Sequence, residues 1–201
     1  LACRRTTFEW VVRKAALAEG RVDFVTGRGV VGFLTDDTAS ATVPVVAGVR
    51  LDDGTDVAAD LVVVAGGRRS TAPEWLEAIG TEPVPEEIED TGIVYLSRFY
   101  RLRPGEEYPP RSGAIGGDLG YLKYGVFVGD NGTFSVTLAV PTEDDELRKR
   151  LADPEMFDAA AARLIATEPW VDGRAEPITP SVHVMAGLLN RRRQDVVDGE
   201  P

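Results

Sequence analysis

Residues 59–75, ADLVVVAGGRRSTAPEW, hold the strongest structural signal in this sequence. Within them, residues 61–65 form an unbroken apolar, β-branched run, which predicts a strand buried on both faces of a parallel sheet. The run ends at Gly66 and Gly67, and small residues there let a ligand approach the backbone at the carboxyl edge of the sheet. A tight turn with solvated arginines explains the same letters, and spacing alone favours neither interpretation.

Composition and charge bound the class of protein. The 201 residues are 43% hydrophobic, enough for a sizeable core and for one or two domains. The formal net charge of −11 argues against nucleic-acid binding, because contacts to phosphate need clustered lysine and arginine. No apolar run approaches the roughly 20 residues that span a bilayer, and no signal-peptide pattern opens the chain. We therefore expect a cytoplasmic protein. Since the sequence starts on Leu1, we also expect it to be the central part of a longer polypeptide.

Metal sites and nucleophile triads have little support. Cys3 is the only cysteine, which excludes an internal disulfide and a thiol-rich metal site. His183 is the only histidine, which excludes a multi-histidine zinc or iron site. A Ser-His-Asp triad around His183 would be expected with a G-x-S-x-G turn, and the sequence has none.

The run at 61–65 and the residues after it resemble the second flavin motif of the FAD-dependent monooxygenases. This superfamily includes aromatic hydroxylases, geranylgeranyl-reductase-like enzymes and halogenases. In its members a strand V-V-(D/G)-A-(D/T/S)-G precedes x-x-S and frequently an arginine. Gly66 stands where the hydroxylases carry aspartate, so this position offers no carboxylate. The resemblance implies that FAD is contacted by Gly66, Gly67, Arg69 and Ser70.

The amino-terminal segment carries the second part of the resemblance. Thr6 and Glu9 match a capping box, which predicts a helix with Thr6 as its N-cap that ends at Gly20. The family element R-x-x-(L/F)-x-x-x-(L/V) is matched by Arg5, Phe8 and Val12. The resemblance implies that Arg5 reaches the ribityl-pyrophosphate part of FAD, for which a planar guanidinium is well suited. A solvated arginine ahead of a helix is the alternative.

The sequence GRGVVG, residues 27–32, matches G-x-G-x-x-G by letter. That fingerprint requires the third glycine to open a helix whose N-terminus receives a pyrophosphate. The following residues have no helical apolar period, so we reject a phosphate loop and predict strands over 22–26 and 30–34. In the family a strand here touches the adenine through its backbone, which makes Val30 a candidate contact.

The order of elements predicts an α/β fold with an α+β second part. A hairpin around Asp52-Asp53-Gly54 precedes the run at 61–65. This order resembles half of the glutathione-reductase-like FAD/NAD(P)-binding fold, without the first G-x-G-x-x-G loop and the distal G-D motif. Strands are predicted over 92–103, 120–128 and 133–140. They are followed by a helix from Glu143 to about residue 151, capped by Thr142, and by a helix from Pro154 to about residue 167, capped by Asp153. Antiparallel strands with helices on one side predict a substrate-binding part. We expect a partial FAD-binding domain over 1–80, a linker over 81–90, the substrate-binding sheet over 91–190 and a return towards the FAD-binding domain over 191–201.

The predicted sheet supplies candidates for a substrate pocket. Its tyrosines recur at alternating or near-alternating positions, so some of them share a face. Arg98 lies among aromatics on a strand, where it needs an anionic or π partner, and His183 could act as an acid or base. Solvated amphipathic sheet residues explain the same pattern, and we expect the basic run at 190–193 to be solvated. The candidate pocket residues are Tyr95, Arg98, Tyr121 and His183.

The resemblance implies an FAD-dependent oxidoreductase in which the flavin does the chemistry and the protein supplies orientation and a dry pocket. A monooxygenase would hydroxylate or epoxidise a small organic substrate through a flavin hydroperoxide, with NAD(P)H as the expected reductant. No catalytic side chain is predicted. Two alternatives stay open: a geranylgeranyl-reductase-like enzyme that saturates a double bond, and a non-catalytic fragment that binds no flavin alone. Neither the substrate nor the oligomeric state can be predicted.

Overall fold

The computed structural model describes residues 3–36, 43–110 and 115–193. The chain divides into two units: Leu1–Arg21 with Asp90–Leu189, and Val22–Glu89 with Asn190–Pro201. The helices are α1 (Arg5–Ala18), α2 (Ala72–Ala78), α3 (Asp145–Leu151), α4 (Pro154–Ala161) and α5 (Glu168–Val171). The strands are β1 (Val30–Thr35), β2 (Val46–Leu51), β3 (Asp56–Ala58), β4 (Glu86–Asp90), β5 (Ile93–Leu102), β6 (Gly116–Asp118), β7 (Lys123–Val128), β8 (Thr133–Pro141), β9 (Ala175–Pro177), β10 (His183–Met185) and β11 (Leu189–Arg193).

The first unit is built on a six-stranded antiparallel sheet in the order β10–β5–β8–β7–β6, with β9 paired to the carboxyl end of β5. Alternate residues of the two long strands, such as Val94 on β5 and Val136 on β8, are fully buried. They share one core with Phe157 of α4 and Trp170 of α5, so the helices cover one face of the sheet. The predicted antiparallel sheet with helices on one side is confirmed.

An aspartate caps each of the first two helices after β8, α3 and α4. Asp153 accepts hydrogen bonds from the backbone N–H groups of Glu155 and Met156, both at 3.0 Å, as predicted for a helix with Pro154 at its first position. The predicted cap at Thr142 is wrong, because Asp144 caps α3 instead. The single helix predicted from Pro154 to about residue 167 is two helices, α4 and α5.

Helix α1 belongs to the sheet unit because its first turn is tied to the β7–β8 turn. The Arg4 guanidinium forms a two-point ion pair with Asp130, at 2.8 and 2.9 Å, and the Arg4 N–H donates to the same carboxylate at 3.0 Å. Thr7 Oγ1 adds a bond at 3.1 Å. The predicted capping box is wrong: the helix begins at Arg5, its N-cap residue Arg4 makes no side-chain cap bond, and the Arg4 N–H donates to the distant Asp130 carboxylate. The predicted stop at Gly20 is confirmed by its positive φ of 67°.

The second unit contains a three-stranded antiparallel sheet, β1–β2–β3. The predicted strand at 30–34 and the hairpin around Asp53-Gly54 are confirmed, so the GRGVVG segment opens a strand and not a helix. The predicted strand over 22–26 is wrong, because these residues form no strand. Helix α2 packs on β1, where the rings of Phe33 and Trp75 meet edge to face at 5.5 Å between centroids.

The predicted buried parallel strand over 61–65 is wrong. The side chains of Leu61 and Val63 are 78% and 79% exposed, and among the described residues this segment joins no sheet. A buried strand needs neighbours that pair with its backbone and cover both faces, and the described part of the chain places none there. Both larger sheets are antiparallel throughout, so the structure does not show a dinucleotide-binding half-domain.

The units divide the chain differently from the predicted boundaries. Helix α1, which the predicted domain over 1–80 includes, lies with the sheet unit instead. The predicted linker over 81–90 contains β4, which pairs with β11 in a two-stranded sheet. Arg191 and Arg193 of β11 donate to the Glu86 carboxylate at 2.9 and 3.1 Å. The expectation of a solvated basic run is therefore wrong for these two arginines.

Candidate functional site

The glycine-rich segment after residue 65 forms a tight turn that leads into α2. Gly67 has a positive φ of 68° and opens a 3-10 turn over Gly67–Arg69, which is closed by the N–H of Ser70 on the Gly67 carbonyl at 3.0 Å. Ser70 Oγ then accepts a hydrogen bond from the N–H of Ala72 at 3.2 Å. A Cβ on Gly66 would lie 3.3 Å from Ser70 Oγ, so the turn needs a small residue there.

This turn suits an anionic ligand such as the FAD pyrophosphate. Gly66, Gly67, Arg68 and Arg69 are all exposed. Within the described residues neither arginine forms an ion pair. Two exposed guanidinium groups beside a glycine turn are the donors that phosphate oxygens prefer. The residues present therefore fit the group that the sequence resemblance implies.

The remaining two cofactor candidates lie on different elements. Val30 is the first residue of β1 and pairs with Leu51, and the neighbouring Gly29 N–H donates to the Asp52 carboxylate at 3.0 Å. Arg5 is the first residue of α1, and its Nε donates to Glu9 at 2.6 Å. Arg5 thus belongs to the first unit and Val30 with the glycine turn to the second. The role of each in binding FAD stays a prediction.

The six-stranded sheet has a second face, opposite the helices, which we name the open face. On β5 it carries Tyr95, Ser97 and Phe99, because Val94, Leu96 and Arg98 point into the core. Strand register extends it over the neighbouring strands. Its further members are Ser135, Thr137 and Ala139 of β8, Lys123, Gly125 and Phe127 of β7, and His183 and Met185 of β10.

The structure brings two of the four predicted pocket residues together on the open face. Tyr95 is half-buried and pairs with Met185, two residues from His183, whose ring meets Phe99 edge to face at 5.6 Å. Tyr121 is not on a strand: it lies exposed in the turn between β6 and β7. Arg98 lies on the opposite face, so the prediction that it shares a pocket with Tyr95 is wrong.

Arg98 has its anionic partner inside the chain. It is 7% exposed and forms an ion pair with Asp158 of α4, and its Nη1 also donates to the Pro154 carbonyl at 2.9 Å. The Tyr100 hydroxyl donates to the same carboxylate. Burial and the bond to Asp158 raise the pKa of Tyr100 above its ordinary value. This cluster joins the sheet to α4, and its polar groups bond to one another.

Sequence reasoning missed most of the open face. Ser97 and Phe99 follow from Tyr95 by strict alternation, a signal that was available. Thr137 and Gly125 depend on the register between β5, β8 and β7, for which the sequence has no local signal. Ser97 Oγ and Thr137 Oγ1 lie 2.7 Å apart as a cross-strand hydrogen-bonded pair.

Two kinds of site are absent from the described residues. No cluster of three or more histidine, cysteine, aspartate or glutamate side chains there could hold a metal ion. In the same part of the chain, no helix has both the length and the apolar character needed to cross a membrane.

Comparison with solved structures shows which known proteins share this fold. The chain aligns over 98% of its length with the flavin-dependent brominase Bmp2, with a TM-score of 0.61 and 19% identity. It aligns over 87% of its length with PqsL from Pseudomonas aeruginosa, a probable FAD-dependent monooxygenase, with a TM-score of 0.58 and 16% identity. It aligns over 95% of its length with the myxobacterial chondrochloren halogenase CndH, with a TM-score of 0.54 and 17% identity. The chain has the fold of the corresponding part of these enzymes. It spans 47%, 46% and 40% of their lengths, respectively.

A sequence relative is also found. The chain is 32% identical to protein Rv3254 of Mycobacterium tuberculosis in an alignment of 176 residues, which covers 79% of this chain and 36% of that protein. The chain thus spans about a third of this relative's length. No family model matches the chain.

Proposed function

We propose that this chain is part of an FAD-dependent oxidoreductase of the monooxygenase type, which hydroxylates or epoxidises a small organic substrate. The observation that carries the proposal is the fold, which the chain shares with FAD-dependent halogenases and monooxygenases over 87–98% of its length. The resemblance of residues 59–75 and of the amino-terminal segment to flavin motifs is a second line of support, although the strand that the family motif has at 61–65 is not formed here. Whole-protein activity is a proposal, since the chain spans less than half of each of these enzymes.

The glycine turn is the proposed contact to the anionic part of FAD. The Gly67 backbone, Arg69 and Ser70 would hold phosphate oxygens. Arg5 belongs to the other unit, and its contact to FAD is a separate proposal that rests on the sequence resemblance. Because the Nε of Arg5 donates to Glu9, the two terminal nitrogens of the guanidinium are its donors for phosphate. FAD, when bound, supplies activation of oxygen with electrons from NAD(P)H.

The open face is the proposed substrate side. Tyr95, Phe99 and Phe127 supply apolar surface that excludes water from a bound molecule, and Phe127 is 62% exposed. Exposed aromatic surface of this kind marks ligand or partner sites. His183 and Tyr95 are the side chains on this face that could hold or move a proton, and no catalytic residue is assigned.

The proposal is tested on the natural protein that contains this chain. Purified protein should be yellow and release FAD on denaturation, and NADH or NADPH should bleach the flavin absorbance without oxygen. Oxygen consumption that depends on an added substrate then identifies a monooxygenase, and the assay is repeated with bromide and chloride because two structural neighbours are halogenases.

Two outcomes would contradict the proposal. Substrate-dependent saturation of a double bond without oxygen uptake would identify the reductase alternative instead. Colourless protein that takes up no added FAD would identify a non-catalytic protein.

A further inference from the structure

Helix α1 has little packing of its own to fix its position. The described part of the chain buries none of its residues, its first turn contains no acidic residue, and its N-cap residue Arg4 makes no side-chain cap bond. Most helical stability in proteins comes from the packing of an apolar face, which this helix lacks among the described residues. The polar contacts at its amino-terminal end therefore fix where the first turn lies.

One carboxylate provides those contacts, and both of its oxygens take part. Asp130 Oδ1 accepts hydrogen bonds from Arg4 N at 3.0 Å and Arg4 Nε at 2.8 Å. Asp130 Oδ2 accepts from Arg4 Nη2 at 2.9 Å and from Thr7 Oγ1 at 3.1 Å. Arg4 and Thr7 are three residues apart, so they lie on the same side of the first turn. Bonds to both residues fix the position of this turn and its rotation about the helix axis.

The turn that carries Asp130 is shaped to receive Arg4. The φ of Gly129 lies outside the left-handed region that favours glycine, so its backbone conformation suits any residue. A Cβ there would nevertheless lie 3.2 Å from Arg4 Cγ and 2.6 Å from Thr133 Oγ1. The stem of Arg4 thus lies directly on a residue without a side chain. Thr133 is 1% exposed and its hydroxyl donates to the Asp130 carbonyl at 2.6 Å, which holds the turn in place.

Arg5 is carried by this anchored turn but takes no part in the anchor. Arg5 and Thr7 are two residues apart, which is about 200° around the helix, so Arg5 points away from the Asp130 side. Its side chain is 88% exposed, and its Nε donates to Glu9. Ordering a mobile segment lowers affinity for a ligand, and a segment that is already fixed avoids that cost. Anchoring the first turn therefore strengthens the binding of an anion by Arg5.

We infer that Asp130 is a positioning residue for the cofactor: through Arg4 and Thr7 it fixes the first turn of α1 and so directs the Arg5 guanidinium to the anionic part of FAD. The inference deepens the proposed function and rests on it, because FAD is the proposed ligand of Arg5. Asp130 acts here through the backbone of the first turn and not by contact with FAD, whose phosphates a carboxylate would repel.

The test is a double-mutant cycle between Asp130 and Arg5 in the natural protein that contains this chain. Asp130→Asn keeps the shape of the side chain and removes its charge, and Arg5→Ala removes the proposed contact. The dissociation constant of FAD is measured by titrating FAD into protein from which the flavin has been removed. Urea unfolding gives the stability of each variant. Asp118→Asn is the matched control, because Asp118 also accepts a turn N–H, from Gly120 at 2.8 Å, and pairs with a cation on a strand of the same unit.

Asp130→Asn should weaken FAD binding about fivefold when Arg5 is present, the scale of one hydrogen bond, and by less than about twofold in the Arg5→Ala background. Removal of a negative charge would by itself strengthen the binding of an anion, so a weaker FAD complex cannot be a direct charge effect. The loss of stability should be the same in both backgrounds. Arg4→Met keeps the stem on Gly129 and should show the same dependence on Arg5. The Arg4 side chain is 43% exposed, so this variant keeps the test valid if Asp130→Asn does not fold.

Asp118→Asn should leave FAD binding unchanged. An unchanged dissociation constant in Asp130→Asn or Arg4→Met would overturn the inference. Equal losses of affinity with and without Arg5, or an equal loss in Asp118→Asn, would do the same, because Asp130 would then act only on the fold. Arg5→Ala that binds FAD as tightly as the natural protein would also overturn it. Protein that carries no FAD and takes up none would instead contradict the proposed function, so the two failures are distinguishable.

Discussion

Removing the charge of Asp158 tests how the sheet and its helices are held together. Asp158→Asn keeps the shape of the side chain and its bond to the Tyr100 hydroxyl but leaves the Arg98 guanidinium without its counterion. Arg98 is 7% exposed, and its Nε already lacks a hydrogen-bond partner among the described residues. The substituted protein would therefore bury an uncompensated cation.

The magnitude follows from the burial of the two partners. Breaking a fully buried ion pair from one side costs about 3–5 kcal/mol. The Asp158 side chain is 41% exposed, so water already screens part of the attraction and the cost should fall to about 2–3 kcal/mol. Arg98→Met removes the buried charge, leaves Asp158 to water and should cost only about 1 kcal/mol.

The sign of the coupling energy between Asp158 and Arg98 shows whether an uncompensated cation causes the loss of stability. If the cost of Asp158→Asn comes from a stranded cation, the double variant with Arg98→Met should be more stable than Asp158→Asn alone. Urea unfolding of the natural protein measures the free energies, and hydrogen exchange in β5 shows whether the loss lies at this sheet. A double variant less stable than Asp158→Asn would refute the reasoning.

Four further outcomes are expected. Burial and Asp158 raise the pKa of Tyr100, so its neutral form stabilises the fold fully below about pH 10 and the benefit is lost as pH rises further; Tyr100→Phe should flatten that alkaline loss in a pH series of urea midpoints. Arg5→Ala should weaken FAD binding by about 1.5–3 kcal/mol, and an unchanged dissociation constant would remove Arg5 from the site. Gly67→Ala should cost about 1 kcal/mol because of the positive φ, and Gly67→Asn should cost less, which thermal unfolding can compare. The Arg4 hydrogen bonds hold the pKa of Asp130 well below its usual range, so this contact stabilises the fold above about pH 4 and the benefit is lost on acidification; Asp130→Asn should speed amide exchange in α1 at neutral pH, whereas equal exchange would show that the helix is held otherwise.

Local signals in the sequence predicted the elements that depend on a few adjacent residues. Asp53-Gly54 gives the β2–β3 hairpin, and Asp153 with Pro154 gives the start of α4, because a turn or a cap satisfies its own backbone groups. The sequence likewise excluded a phosphate loop at residues 27–32, since no helical period follows it. Each of these elements is determined by interactions between residues that are close together in the sequence.

Elements that depend on distant partners could not be predicted. The capping box at Thr6 is a valid local pattern, yet Asp130, over 120 residues away, binds the first turn of α1. Residues 61–65 have the apolar character of a buried strand, but burial requires neighbours, and the structure leaves Leu61 and Val63 exposed. The charge on Arg98 predicted an anionic partner, and that partner is Asp158 of the same chain.

The alternation of β5 separates stability from ligand binding in a way that experiment can use. Residues Val94, Leu96, Arg98 and Tyr100 face the helices, so their substitution should act on folding. Tyr95, Ser97 and Phe99 face the other way, so their substitution should act on a bound molecule while the core stays intact. A strand that carried both functions on one face would couple the two effects. Because adjacent residues of β5 point to opposite faces, a pair such as Ser97→Ala and Arg98→Met compares them at one place in the sheet. Loss of ligand affinity in the first, and loss of stability with unchanged affinity in the second, is the pattern that an open face built for binding requires.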